Sequence, residues 1–335
     1  MNSKVAVVIL NWNGQSFLEQ FLPSVVKYSG NARIIVADNN STDNSIQFLK
    51  DNYPAIELIK LDQNFGFAGG YNNALKQIDS EYYILLNSDV EVTENWLMPM
   101  IDLLDSDKSI AACQPKIKDY NNKESFEYAG ASGGFIDKYG YPFCRGRIFE
   151  SLEKDNNQHN SIKEIFWASG ACLFIRSNEY HSIGGLDEFF FAHMEEIDLC
   201  WRLKNQGKKI MVCPSSTVYH VGGGTLNKVK PQKTFLNFRN SLLTLHKNLP
   251  ENKRFIIIFT RILLDGIAGV KFIISGKPSH TWAIVRAHFS FYGAISQNKK
   301  KRKTVNNPNL TGQISKSIVK GYYLDNCKSF NDFVK

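Results

Sequence analysis

"YILLNSDVEV", residues 83–92, decides the fold, because an unbroken apolar run stops abruptly at Asn87-Ser88-Asp89. Ile84, Leu85 and Leu86 form the short continuous run expected of a strand buried on both faces, as in a parallel sheet covered by helices. The polar end has two readings. It is a turn in which Ser88 or Asp89 caps the next helix, or it is the mouth of a site at the carboxyl end of a strand.

The flanking sequence separates them. "KVAVVIL" (4–10), "ARIIVAD" (32–38) and "IELIKLD" (56–62) read as further strands. Between them, "GQSFLEQFLPSVVKYS" (14–29), "STDNSIQFLKDNY" (41–53) and "GGYNNALKQID" (69–79) carry helical spacing, the second with Ser41 or Thr42 as its cap. This β-α-β-α-β-α-β order predicts an α/β fold with a doubly wound, mainly parallel sheet. The four strands leave the sheet into Asn11-Trp12-Asn13-Gly14, Asp38-Asn39-Asn40-Ser41-Thr42-Asp43, Asp62-Gln63-Asn64-Phe65-Gly66 and Asn87-Ser88-Asp89. One polar strand end is a turn, whereas four on a common rim predict a ligand site.

At 335 residues the chain is long for one domain. Its charge is split: residues 227–303 hold 16 Lys or Arg against Glu251 and Asp265, a formal +14, while residues 1–226 hold 20 against 28, a formal −8. Three regions are expected: an α/β domain over 1–226, a basic amphipathic helical region over 227–303, and a polar, loosely ordered tail over 304–335. The basic region points to an anionic partner. Lys4 is followed by a short apolar run ending in "NWNG", not the pattern of a secretory signal, so a cytoplasmic protein is expected. Six scattered cysteines with no Cys-x-x-Cys pair predict buried free thiols rather than zinc or disulfides.

Farther on, "FWASGACLFIR" (166–176) reads as strand, and "IGGLDEFFFAHMEEIDLCWRLKNQG" (183–207) as a Gly-Gly turn, an aromatic loop and a helix from about Glu196 to Asn205. "KIMVCPSSTVYHVGGG" (209–224) reads as a strand ending at His220. "KRFIIIFTRILLDGIAGVKFIISGK" (253–277) is apolar but broken by Arg261, Asp265 and Lys271, so it makes a poor membrane span. Arg254, Arg261 and Asp265 share one stripe of a helical wheel, which fits a helix lying in a membrane interface, or packed in a core or against a partner. "NKKKRK" (298–303), next to "WAIVRAHFSFYG" (282–293), suits anionic lipid rather than nucleic acid, and peripheral attachment to the inner face of a membrane is expected.

The chain lacks a Gly-x-x-x-x-Gly-Lys-Ser/Thr loop, "GFAGGYNNA" lacks the spacing of a dinucleotide fingerprint, and no Gly-x-Ser-x-Gly elbow occurs. Carboxylates and amides at strand ends remain, with one late histidine. Asp89 and His220 together offer a hard oxygen and an imidazole, a set that suits Mg²⁺ or Mn²⁺ beside diphosphate oxygens.

Seven stretches taken in order carry a family resemblance: "VVILNWNG" (7–14), "VADNNSTDNS" (36–45), "NFGFAGGYNNAL" (64–75), "LLNSDVEV" (85–92), "WASGACLFIR" (167–176), "GGLDEFFFAHMEEIDLCWRLKNQG" (184–207) and "VYHVGGG" (218–224). The chain resembles an inverting family 2 glycosyltransferase of the GT-A fold, in the rhamnosyltransferase-like branch. The resemblance implies that Asn11, Asn13 and Asp38 cradle the nucleobase and ribose, with Asp43 supporting their loop. It implies that Asn64, Gly69, Gly70 and Asn72 approach the diphosphate or sugar. The family's Asp-x-Asp motif is Asn87-Ser88-Asp89 here, so Asp89 and His220 become the metal ligands and Asn87 a weaker contact. Trp167 resembles a residue that shapes the acceptor pocket. The acidic pair maps to Glu195-Glu196 followed by Asp198, with Glu196 as the base that takes the acceptor hydroxyl proton; Glu195 and Asp198 would stand on the acceptor side.

The expected activity is metal-dependent transfer of a sugar, rhamnose or another deoxyhexose, from a nucleoside diphosphate to a lipid-linked or polysaccharide acceptor in cell-surface glycan synthesis. A sugar nucleotidyltransferase and a non-catalytic membrane-associated sugar-binding protein are the alternatives.

Overall fold

The computed structural model describes residues 3–222, 230–303 and 310–335. The expected boundary at 226/227 and the last two glycines after His220 lie outside them.

The first half follows the predicted alternation: β1 (Val5–Asn11), α1 (Gln15–Tyr28), β2 (Arg33–Asp38), α2 (Ser45–Asn52), β3 (Glu57–Lys60), α3 (Gly66–Leu75) and β4 (Tyr82–Asn87). All four strands are parallel, in the order β3-β2-β1-β4. Successive side chains of β1 enter opposite layers. Val5, Val7 and Ile9 pack with Leu18, Leu22 and Val25 of α1, while Ala6 and Val8 join the layer containing Ala68, Tyr71 and Ala74 of α3.

Two helix starts differ from expectation. The cap of α2 is not Ser41 or Thr42: Asp43 accepts from the backbone N–H of Ser45 at 3.1 Å, moving the start past those residues. Helix α3 starts at Gly66, three residues early, because Asn64 accepts from the Gly66 N–H at 2.8 Å and so satisfies one of the first-turn donors.

After β4 come β5 (Val90–Val92), α4 (Met98–Ser106), β6 (Ile110–Asp119), then β7 (Gly134–Asp137), β8 (Pro142–Cys144), β9 (Arg147–Ile148) and β10 (Ser151–Leu152). Next are β11 (Lys163–Ile165), β12 (Cys172–Arg176), α5 (Ser177–Ser182), α6 (Glu195–Asn205) and β13 (Lys209–His220). The main sheet runs β11-β13-β6-β12-β4-β1-β2-β3, with β5 on β13. β12 is antiparallel to both β4 and β6, and β11 and β5 are antiparallel to β13, so the sheet is mixed, with four parallel and four antiparallel pairings rather than the mainly parallel set expected. β7 to β10 form a second, small sheet.

Three long helices complete the chain: α7 (Pro231–Asn248), α8 (Glu251–Ile274) and α9 (Pro278–Lys300), followed by β14 (Gln313–Ile314), α10 (Ile318–Tyr323) and α11 (Phe330–Val334). The tail is ordered from Leu310 onward, contrary to expectation. β14 adds to β7 in parallel, Asp137 accepts from the Ile318 N–H at 2.9 Å, and Phe143 meets a tilted Phe330 and an edge-on Phe333. Those aromatic side chains gave the segment enough apolar surface to fold against the small sheet.

Helix α8 faces the opposite way from an ordinary surface helix. Its charged stripe points inward: Arg261 donates to the Tyr139 carbonyl and Ser241 hydroxyl at 3.1 and 2.7 Å, and Asp265 lies 3.0 Å from His288. Its apolar side is exposed, with Phe255 at 79% and Ile274 at 81% of their full accessible area. No helix among the described residues is long and apolar enough to cross a membrane. The cysteines are free, five of them buried and Cys327 half-buried.

Candidate active site

The apolar run of β4 stops at Asn87 because the chain must turn there into β5. β5 pairs antiparallel with the end of β13, setting Val90 opposite His220, and the Val221 N–H donates to the Asp89 carbonyl at 3.1 Å. Asp89 Oδ1 therefore lies 3.1 Å from His220 Nε2. Asn87 Nδ2 reaches the same nitrogen at 3.5 Å, and the Asn87 N–H donates to the Ala171 carbonyl.

A third group, absent from the sequence prediction, faces the imidazole from its other side. Glu127 Oε1 is 3.5 Å from His220 Nδ1, and its other oxygen accepts from the Ala129 N–H. Burial opposes charge on His220, but Glu127 and then Asp89 raise its pKa to about 10, so the imidazole is protonated at neutral pH in the metal-free chain. Burial likewise raises the Asp89 pKa, and His220 outweighs it, holding the carboxyl below its ordinary value.

The donor chemistry fits a hard divalent cation. Asp89 offers a carboxylate oxygen and His220 an imidazole nitrogen 3.1 Å from it, and the imidazole would give up its proton on binding the ion. Among the described residues no three His, Cys, Asp or Glu converge as a metal cage. The chain would supply Asp89 and His220, with Asn87 beside them, and leave the other positions to diphosphate oxygens and water.

The ends of β1 and β2 are sewn together. Asn11 donates to Asp38 at 3.1 Å and Ser41 at 3.2 Å, Asn13 accepts from the Thr42 N–H at 2.7 Å, and Asp43 accepts from the Gln15 N–H at 3.0 Å. Asn11 Oδ1 is buried without a partner, a free acceptor at the rim. A Cβ on Gly14 would sit 2.5 Å from that oxygen and 3.6 Å from the Ser88 hydroxyl, so the first and fourth strand ends meet at this glycine.

The residues expected near diphosphate or sugar are committed to the scaffold. Asn64 accepts from Asn39 at 3.0 Å, and Asn39 also accepts from the Phe65 N–H. Asn39, which the sequence showed only as one of several strand-end amides, is thus the clip between β2 and α3. A Cβ on Gly70 would come 2.8 Å from Leu10, so its glycine lets α3 seat on β1, and Gly69 is buried against Phe65. Asn72 accepts from Tyr180 and the Leu186 N–H and donates to the Leu186 carbonyl and Glu188, which fixes the loop before the acidic pair.

Helix α6 begins at Glu195, one residue ahead of the prediction. Glu195 is buried and Glu196 half-buried, and one oxygen of each has no protein partner. Burial raises both carboxyls, that of Glu196 to about 7, with the neighbouring charge of Glu196 adding to the rise at Glu195. His193 Nε2 is also buried without a partner, and burial with Lys233 lowers that imidazole to about 4. Glu196 Cβ lies 3.8 Å from where a Gly170 Cβ would be, and Phe67 lines the same gap. The Gly170 turn thus joins the acidic pair to Ala171, the residue that anchors Asn87.

Two acceptor-side candidates sit elsewhere. Asp198 is fully buried and accepts from Arg202, Lys247 and Asn248 at 2.8, 3.0 and 2.8 Å, tying α6 to α7. Trp167 is buried between the sheets, donating to the Phe135 carbonyl at 3.0 Å.

The sequence pattern of glycosyl transferase family 2 matches residues 6–176. Among curated proteins, the chain is 26% identical over 239 residues to N-acetylglucosaminyl-diphospho-decaprenol L-rhamnosyltransferase of Mycobacterium tuberculosis, covering 66% of this chain and 76% of that protein. Among solved structures it is similar to S. aureus TarS 1-349 in complex with UDP-GlcNAc (TM-score 0.57, 15% identity, 89% of this chain and 84% of that one). It is also similar to the mannosyltransferase PcManGT from Pyrobaculum calidifontis in complex with GDP-Man and Mn²⁺ (TM-score 0.53, 12% identity, 89% and 88%). The fold is GT-A.

Proposed function

Because the chain belongs to glycosyl transferase family 2 and is a glycosyltransferase, we propose that it moves a deoxyhexose, rhamnose first among them, from a nucleoside diphosphate to a lipid-linked or polysaccharide acceptor with inversion. The observation that carries this reading is Glu196: a partner-free carboxylate oxygen at a helix start, joined through the Gly170 turn to the Asp89–His220 rim. The rhamnosyltransferase relative supports the sugar and the lipid-linked acceptor. Asn11, Asn13, Asp38 and Ser88 are assigned to the nucleoside end of the donor, and Asp43 to the support of their loop. Asn64, Gly69, Gly70 and Asn72 hold the backbone that borders the sugar.

In the reaction the acceptor hydroxyl attacks the anomeric carbon as the bond to the nucleoside diphosphate breaks, and Glu196 takes the hydroxyl proton. Burial, and then the neighbouring charge of Glu196, push the Glu195 carboxyl up, which favours its neutral form beside an ionised Glu196. A divalent cation, when bound, supplies positive charge against the departing diphosphate. The expected result of a donor panel of UDP-, dTDP- and GDP-sugars with membrane lipid extract is Mn²⁺- or Mg²⁺-dependent release of one nucleoside diphosphate, from a dTDP-deoxyhexose. No binding and no turnover of any donor would end the proposal; pyrophosphate release from a nucleoside triphosphate would favour a nucleotidyltransferase.

The inside-out helix supports peripheral attachment to an anionic membrane. Phe255, Phe259, Leu263, Ile267, Val270 and Ile274 form one exposed ridge on α8. Lys253, Lys271 and Lys277 are exposed along the same helix and just after it, while Asp265 is buried. A second copy docking by the same face would oppose two basic rims, whereas anionic lipid complements them. Burying half of those six side chains is worth roughly 5–9 kcal/mol gross. Flotation with phosphatidylglycerol-containing vesicles is expected, and the triple change Phe259→Ser, Leu263→Ser, Ile267→Ser should abolish it without changing the unfolding temperature. Flotation that survives the triple change, or fails for the unaltered protein at low salt, would sink the attachment.

A further inference from the structure

The loop that delivers the acidic pair follows a costly path. Phe191, His193 and Met194 have φ of 64°, 70° and 74°, three left-handed non-glycine residues within four positions. Such residues cost on the order of 1 kcal/mol or more each and persist only where their surroundings impose them.

The restraint comes from α7. The side-chain amide of Asn240, fully buried, donates to the carbonyls of Phe190, Ala192 and His193 at 3.0, 2.9 and 2.8 Å. Its oxygen accepts from Arg239 Nε at 2.9 Å, and Arg239 Nη2 donates to the Phe189 and Phe190 carbonyls at 3.0 and 3.2 Å. From the other side, the Phe191 carbonyl accepts from the Phe67 and Ala68 N–H groups at 2.7 and 3.3 Å. Three carbonyls converging on one atom fix that atom as the amide nitrogen. One residue after Met194 begins the acidic pair.

We propose that Asn240 is a positioning residue of the transfer reaction: it locks loop 189–194 so that the Glu196 carboxylate meets the acceptor hydroxyl. The proposal rests on Glu196 as the base. It makes α7 part of the catalytic unit. An aspartate at position 240 keeps the shape but turns an oxygen toward three carbonyl oxygens, so the lock opens.

Asn240→Asp is expected to lower kcat about 10²-fold, the scale of a misplaced catalytic group, with the donor KM within about threefold. The pH at which activity is half-maximal is read in Asn240→Ser, which loosens the loop without adding a charge: it should move down, because water admitted to Glu196 weakens the burial that raises its pKa. A double variant with Glu196→Gln should be no slower than Glu196→Gln alone, since both changes remove the same contribution. An unshifted pH limb, or losses that multiply in the double variant, would overturn the proposal while leaving Glu196 intact as base. Full activity of Glu196→Gln itself would instead overturn the reading beneath it. If Asn240→Asp does not fold, Asn240→Ser, which keeps one donor, carries the same comparisons; unfolding of both makes Asn240 a determinant of the fold and ends the proposal.

Discussion

Glu196→Gln is expected to cut kcat by about 10²–10⁴-fold, the usual contribution of a general base, while nucleoside diphosphate binding stays unchanged. The amide fills the same space at the start of α6 but cannot accept the hydroxyl proton. In the unaltered enzyme kcat/KM should rise with pH and level off above about 7, because burial raises the Glu196 carboxyl to that value and only its ionised form is a base. In the variant that limb disappears. Stability should move the other way. A carboxyl whose pKa is raised by folding, from 4.5 to about 7, binds its proton more tightly folded than unfolded, so stability is lost as pH climbs through that window. Glutamine does not ionise, and the variant should gain on the order of 1–3 kcal/mol above pH 7 and nothing below about pH 4. Thermal unfolding at pH 5 and pH 8 measures this difference. A variant that keeps its kcat, or an unchanged pH profile, would remove Glu196 from the mechanism.

Asp89→Asn should remove divalent-cation dependence together with at least 10²-fold of activity, on the scale of removing one charged stabiliser of a transition state. Asp89 is the one acid of the Asn87-Ser88-Asp89 turn, and the change leaves two neutral amides there. Mn²⁺ titration followed by electron paramagnetic resonance, with nucleoside diphosphate present, should show binding for the parent and none for the variant. The fold should survive, because His220 keeps Glu127 on its other face at 3.5 Å. The converse change, His220→Ala, should be worse for stability. It strands Asp89 and Glu127 in a buried site without the cation between them, a loss of about 3–5 kcal/mol by analogy with broken buried pairs. Undiminished Mn²⁺ binding by Asp89→Asn would move the metal site elsewhere.

Much of the first half, β1 to β4, was legible because its signals are local. The apolar runs of β1, β2 and β4 read as buried strands, and the rule that ligands collect at carboxyl ends then drew Asp89 toward the rim. What escaped depends on contacts between distant segments. Glu127 belongs to a stretch with neither strand nor helix periodicity, and only β6, which holds residues 125–127 on one edge and β13 on the other, brings it to His220. A helical wheel placed Arg261 and Asp265 on one stripe of α8 but could not give the stripe a direction. Arg261 turns inward because a carbonyl and the ring of Tyr139 and Tyr141, about 120 residues away, accept its charge. Asn240 is one amide among many until the three carbonyls it serves are seen together. Asn72 and Gly70 sit in a segment whose glycines resemble a ligand loop, yet close packing of α3 on β1 asks for the same residues.

The parallel pairing of β14 with β7 sets a clock on synthesis. Ile136 and Gln313 are partners 177 positions apart. At the ~5–20 residues per second of a translating ribosome, roughly 9–35 s separate the emergence of the two strands. Throughout that interval Ile136 on the edge of β7 lacks its partner, and the aromatic bed of Phe135 and Phe143 lacks Phe330 and Phe333; an uncovered strand edge invites pairing with other chains. Chaperone demand during expression should therefore fall on the growing chain before residues 313–335 are made, and a polypeptide halted short of Gln313 should be captured by holdases although β1 to β4 are already folded.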